Sequence, residues 1–320
     1  MDKIAIIRRN GLGDLLCAYP LYCHLKTTYP QAEITLFVDE RNAPLLNFFS
    51  EKIQTVIIPK KGNKYFNLFC LALAHRKKKY DLAVCAKTSP MKMMNLFLFL
   101  LGAKKRVAVA GKKWHSVLVN HPIFPKEGIH QALKGLQMVA PHLEQVPQEY
   151  FPQLHVKKQL IENHASLVKG AGPFLLLSAS TTSRASRLEE KRYAKIVNRL
   201  GKKQQFSVLI VSQEADKTRA GLISKSLEVP NQIVCPQNFE EFMVVLSKAN
   251  VYFMGDGGVP HIGSALNKPA VVFFGSVLPE EWGPLNSNCT TFYHKSDVNL
   301  ISEEALLSAL EKKFMDAVTV

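Results

Sequence analysis

The sequence predicts an α/β protein of two doubly wound, Rossmann-like domains facing across a cleft. Three observations carry this. Short β-branched, apolar runs alternate with helical segments. The alternation pauses in a stretch at 145–158 that contains Pro147 and Pro152, and then begins again. Each half also contains a glycine-rich turn where a strand runs into a helix. Near-continuous apolar strands separated by helices mean a parallel sheet covered on both faces. The 320 residues suit two domains of ordinary size, placed here at 1–155 and 156–320.

In the first half the strands fall at Lys3–Arg9, Glu33–Val38, Gln54–Ile58, Asp81–Ala86 and Arg106–Ala110. Helices fall at Asp14–Thr27, Tyr65–Lys78, Met91–Leu101 and Ile129–His142. In the second half the strands are Phe174–Ser178, Phe206–Val211, Gln232–Cys235, Val251–Gly255 and Ala270–Phe274. The helices are Glu189–Leu200, Ala215–Leu227, Phe239–Lys248, Pro260–Leu266 and Ser302–Phe314. Two such domains place ligands at the carboxyl ends of their strands.

Composition narrows the function classes. The most apolar stretch, Met93–Leu101, is far short of the roughly 20 residues that cross a bilayer; it reads as a buried helix, the alternative being contact with a membrane surface. No secretory leader is visible, because Ile4–Ile7 runs at once into Arg8 and Arg9. The six cysteines form no CxxC pair, so neither a zinc site nor a disulfide framework is expected, and a cytoplasmic location fits. The net charge of +15 is uneven: residues 1–155 hold 22 Lys/Arg against 10 Asp/Glu, the remainder 19 against 16. A basic half attracts a phosphorylated substrate or an anionic membrane surface. No nucleic-acid motif is present, so no nucleic-acid partner is expected.

Two turns carry the chemistry. The first is Asn10-Gly11-Leu12-Gly13-Asp14, where strand one opens into a helix. Its glycines permit close approach of a ligand, and Asp14 either caps the helix or serves chemistry. A dinucleotide fingerprint is the competing reading, with Asp39 as its acidic partner, but Leu16 stands where the third glycine belongs. The second turn is Gly255-Asp256-Gly257-Gly258-Val259-Pro260-His261. The amides of Gly257 and Gly258 at a helix start make an anion site suited to a diphosphate. His261 either supplies a donor there or is a core histidine. Trp282 either borders the cleft or packs. No Asp-x-Asp pair is present and no metal is assigned.

These residues resemble glycosyltransferase family 9, the heptosyltransferases. Arg8–Pro20, RRNGLGDLLCAYP, looks like the family's opening. ANVYFMGDGGVPHIGSALNKPAVVFFGS looks like its second signature, D-[ST]-G-x-x-H-x-x-A. The resemblance spans nearly the whole chain. It implies a GT-B fold and an inverting transfer of heptose from ADP-heptose, without a cofactor, to a phosphorylated glycolipid of the lipopolysaccharide inner core. It implies Asp14 as the base and Asp256, Gly257, Gly258 and His261 as the donor turn. Thr181 and Thr182 match hydroxyls near the donor phosphates, and Glu214 a ribose contact. The first domain would hold the acceptor, the second the donor. Two departures stand out: Gly257 replaces a Ser or Thr, and Ser186 falls at the usual lysine, so Arg184 or Arg187 substitutes. A dehydrogenase or a non-catalytic nucleotide-sugar-binding homologue are the alternatives.

Overall fold

The computed structural model describes residues 1–181, 183–286 and 288–318, and the chain divides into two units, Met1–Pro152 and Gln153–Val320. The first unit runs β1 (Lys3–Arg8), α1 (Leu12–Thr28), β2 (Glu33–Asp39), β3 (Thr55–Ile58), α2 (Lys64–Arg76), β4 (Leu82–Cys85), α3 (Lys92–Leu101), β5 (Lys105–Val109), β6 (His121–Ile123) and α4 (Gln131–Gln137). Its strands are all parallel, in the order β3-β2-β1-β4-β5-β6. Ile4 to Ile7 are buried because helices cover both faces. Ala5, Ile7 and Phe37 point into one layer with Leu68 and Ala72 of α2 and Phe97, Leu98 and Leu101 of α3. α1 packs with α4 over the other face.

The second unit opens with α5 (Lys158–Asn163). It continues through β7 (Phe174–Ser178), α6 (Glu190–Gly201), β8 (Ser207–Val211), α7 (Lys217–Ser226), β9 (Asn231–Val234), α8 (Phe239–Lys248), β10 (Val251–Gly255) and α9 (Gly258–Ala265). It closes with β11 (Ala270–Phe274), α10 (Pro279–Trp282), β12 (Cys289–Tyr293) and α11 (Glu303–Val318). The parallel order is β12-β11-β10-β7-β8-β9. Counted within its own unit, that is the topology of the first sheet repeated. One layer of its core joins Leu175, Leu177, Ile210, Phe253 and Phe273 to α6, α7 and α11.

Both sheets therefore reverse direction at one place. The chain winds outward one way from β1 and the other way from β4, and likewise from β7 and β10. Ligands bind outside the carboxyl ends of the strands at such a switch point, which is where the two glycine turns sit.

All ten expected strands are present. Each sheet also holds a sixth strand that the alternation does not announce. β6 is three residues with Pro122 at its centre, tolerated because it lies at the sheet edge. β12 is an edge of the second sheet, half exposed. The cysteines are free, but not uniformly buried: Cys17 and Cys85 are inside, whereas Cys70 is exposed on α2. Met93–Leu101 does form a largely buried helix, α3. No helix among the described residues is long and apolar enough to cross a membrane.

Candidate active site

At the switch point of the first sheet, β1 ends in Arg8, whose side chain is almost wholly buried. Each nitrogen of its guanidinium has a fixed partner. Nη1 donates to the Ala86 carbonyl at 2.7 Å, Nε to the Asp14 carbonyl at 2.9 Å, and Nη2 pairs with Asp14 Oδ1. Arg8 thus ties the end of β1 to the loop after β4 and to the first turn of α1. Asp14 is the third residue of α1, not its N-cap. Its Oδ2 accepts the Gly11 amide at 3.1 Å. A Cβ on Gly11 would lie 3.1 Å from that same oxygen, so the glycine leaves the carboxylate room. An ionised carboxylate has about four acceptor positions, and two are filled. Asp14 is held by its scaffold yet keeps capacity for a ligand proton, with 19% of its side chain exposed.

Asn10 has a positive φ of 89°, in the left-handed region that asparagine tolerates. Asp39 at the end of β2 holds that corner: Oδ1 accepts Arg9 Nε at 2.7 Å and Oδ2 accepts the Asn10 amide at 3.0 Å. The dinucleotide alternative needs Asp39 for a ribose, and here both its oxygens bind the protein. Gly13 is buried, and Leu16 fills the third-glycine position inside the core.

At the switch point of the second sheet, Gly257 is the N-cap of α9, with φ 154° and ψ −164°. That conformation is essentially restricted to glycine. A Cβ there would meet nothing within 4 Å, so a serine or threonine would be opposed by the backbone rather than by space. The expectation of two open amides needs adjusting. The Gly257 amide leans on the Asp256 carboxyl, while Gly258 and Val259 occupy the first two helical positions, where no helical carbonyl reaches an amide. His261 is buried, fourth in α9.

The loop after β7 is pinned against this turn. A Cβ on Gly255 would lie 2.1 Å from the Ser186 carbonyl, and one on Gly275 would lie 2.0 Å from the Ala185 carbonyl. Ser186 is wholly buried, and its Oγ accepts the Gly275 amide at 3.1 Å. Ser186 therefore clamps the loop and does not replace the lysine. The flanking Arg184 and Arg187 are both exposed, and Arg187 Nη2 lies 3.9 Å from Asp216 Oδ1. Thr181 is half buried and donates to the Ser183 carbonyl at 3.3 Å. Thr182 lies outside the described residues. Glu214 is 76% exposed beside Lys217 Nζ, 2.7 Å away, on the loop after β8. The Gln213 amide donates to Ser180 Oγ at 3.1 Å, joining that loop to the one after β7. Trp282 ends α10, half buried.

A second buried guanidinium, which sequence reasoning misses, organises this loop. Arg219 of α7 pairs with Glu190 at 2.6 Å and donates to the carbonyls of Leu188 at 2.5 Å and of Ala179. It plays the part in the second unit that Arg8 plays in the first.

Each sheet thus gathers its candidate residues on its own carboxyl edge: a scaffolded carboxylate in the first unit, and amides, hydroxyls and arginines in the second. The family model described as glycosyltransferase family 9 (heptosyltransferase) matches residues 70–304. The chain belongs to glycosyltransferase family 9. This family 9 transferase is 24% identical over 306 residues to a putative glycosyltransferase of Haemophilus influenzae, covering 89% of this chain and 87% of the relative. It is also 24% identical to lipopolysaccharide heptosyltransferase 2 of Escherichia coli K12, covering 92% and 90%. Among solved structures it is similar to the E. coli ADP-heptose lps heptosyltransferase II, with a TM-score of 0.82, 19% identity and coverage of 98% and 99%. The transferase therefore has the GT-B fold that the sequence resemblance implies.

Asp256 gives the transferase a pH signature. Burial pushes its carboxyl up to about 6, although the Gly257 amide pulls the other way. The folded state favours the protonated form, so this group's contribution to stability is complete below about pH 4 and is lost as pH rises through about 6. Urea unfolding across that window should show a decline on the order of 2 kcal/mol. Asp256→Asn should flatten it, and an unchanged decline in that variant would assign it to another group.

Proposed function

We propose that this transferase moves a heptose from ADP-heptose, with inversion, to a phosphorylated acceptor of the lipopolysaccharide inner core. The second unit holds the donor and the first the acceptor. The observation that carries the reading is the β10–α9 turn: a glycine-only backbone at the switch point, opening a helix whose first amides have no internal partner. In the reaction Asp14 takes the proton of the acceptor hydroxyl as its oxygen attacks the anomeric carbon. The bond to ADP breaks on the opposite face, and one displacement inverts the centre. The amides of Gly258 and Val259 and the exposed Arg184 and Arg187 carry the charge of the departing diphosphate. Thr181, Thr182 and His261 belong to the same donor site, and Glu214 turns toward the ribose. The relatives named above support this choice of sugar and acceptor. The excess positive charge of residues 1–155 suits a phosphorylated glycolipid and peripheral contact with the anionic inner membrane from the cytoplasmic side.

A nucleotide panel read by thermal unfolding tests the donor. ADP and ADP-heptose at about a hundredfold excess over Kd should each add about 2.7 kcal/mol, a shift of several degrees. UDP should add less and NAD nothing. Equal stabilisation by NAD, or none by ADP, would overturn the reading.

A further inference from the structure

The first unit holds a cavity at the amino edge of its sheet, the edge opposite to Asp14. Strand register sets its floor. Leu82 of β4 pairs with Lys105 of β5, and Val107 of β5 with His121 of β6. Side chains two positions apart share a face. Lys105 and Val107, and likewise His121 and Ile123, therefore point to one side, which is the side that α1 and α4 cover. The cover is incomplete for a reason of length. α4 starts at the carboxyl edge, where Gln131 accepts the Thr88 hydroxyl at 2.5 Å. It then runs back along the sheet for only seven residues, about 10 Å, whereas a five-residue strand such as β5 spans about 17 Å. The helix stops short, and the turn at Met138–Pro141 closes over what is left. α1 does reach the amino edge and brings His24 and Thr28. Between them lies a cavity of about 220 Å³.

Its walls combine an apolar body with polar groups of one kind. Leu25, Leu82, Val107 and Met138 are buried. Lys105, His24 and His121 also line the cavity, and among the described residues that line it none is acidic. Lys104 is paired with Asp81, but its neighbour Lys105 has no ion pair among the described residues. Burial, together with the nearby His142, holds the His24 imidazole below its usual pKa, so at neutral pH it offers a hydrogen bond rather than a charge. The helix ends that arrive here bring carbonyls, but those of Leu25, Gly135 and Leu136 already accept amides from Tyr29, Met138 and Ala140. An apolar cavity with a few convergent polar groups is the usual build of a small-molecule site. A cavity of about 150 Å³ takes up benzene, so this one has room for a ring and a carboxylate.

We propose that this cavity binds a small organic monocarboxylate, with its apolar body against Leu82, Val107 and Met138 and its carboxylate on Lys105 Nζ. An amine of the same shape would meet the lysine. Inorganic phosphate would leave the apolar floor unused. The site lies across the sheet from Asp14 and is independent of the sugar and acceptor assigned above.

Titration calorimetry of the full chain with benzoate, benzamide and benzylamine tests it without measuring transfer. Benzoate should bind at one site, about tenfold more tightly than benzamide, the usual worth of one charge-assisted hydrogen bond. Benzylamine should not bind. Lys105→Met keeps the apolar stem and should erase the preference for benzoate. Val139→Phe, on the half-buried wall after α4, should block both ligands. A crystal structure of the parent with benzoate locates the ligand even if that variant does not fold. No binding of benzoate would overturn the proposal. So would equal binding of benzamide, a Lys105→Met variant that keeps the parent's preference, or benzoate seated elsewhere on the chain.

Discussion

Replacing Asp14 with asparagine is expected to lower turnover by about 10²–10⁴-fold, the usual worth of a general base, while ADP still binds. The geometry makes this a sharp test. Asparagine has almost the same shape and keeps one oxygen for the Gly11 amide, but it cannot accept the acceptor's proton at neutral pH. The substitution also removes the charge opposite Arg8, which is buried. Taking one partner from a buried ion pair costs about 3–5 kcal/mol, so unfolding must be measured beside turnover. ADP affinity separates the two effects, because the β10–α9 turn proposed to hold the donor lies in the other unit. Lost turnover with intact ADP binding and a folded protein is the expected pattern. Near-normal turnover would remove Asp14 from the base role and leave it a helix-start residue.

The second large effect is expected at Arg219, in the stability of the second unit. Its guanidinium binds Glu190 and two backbone carbonyls from the loop that precedes α6. Arg219→Met fills much of the same volume but leaves the carbonyls of Ala179 and Leu188 without their buried donor. Glu190 also loses its partner, although its own side chain is one-third exposed and can rehydrate. The expected loss is about 3 kcal/mol, or roughly 10 °C in Tm for a unit of this size. Arg219→Lys should recover little, because an ammonium cannot replace a planar fork with three fixed acceptors. The donor KM should rise in both variants as the loop loosens. A loss under about 1 kcal/mol would mean that the network contributes little.

Much of the architecture was legible because both sheets are parallel and covered. Their central strands are unbroken apolar runs, and the glycine turns mark where strands end. Two of the four edge strands, β6 and β12, were not, for opposite reasons. His121–Ile123 is too short and carries a proline. Cys289–Tyr293, with two threonines and two aromatic residues, has strand chemistry but follows a loop rich in polar turn residues. Strand order was beyond sequence, since buried parallel strands look alike until paired. Of the site, the two turns could be read from their glycines. Arg8 at the first turn and Arg219 in the loop after β7 could not, because each also reaches a backbone carbonyl far along the chain: Ala86 lies 78 positions from Arg8, and Ala179 lies 40 from Arg219. A charged residue closing an otherwise apolar strand was the available signal for Arg8, and Arg219 offered none. Ser186 illustrates the opposite case, a position where the sequence resemblance implied a charge and where the side chain holds the Gly275 amide.

The most direct measurement is a crystal structure with ADP-heptose or ADP bound. The diphosphate is expected within hydrogen-bond distance of the Gly258 and Val259 amides at the start of α9. A diphosphate seated instead on the Gly11–Gly13 turn, with the β10–α9 turn empty, would contradict it.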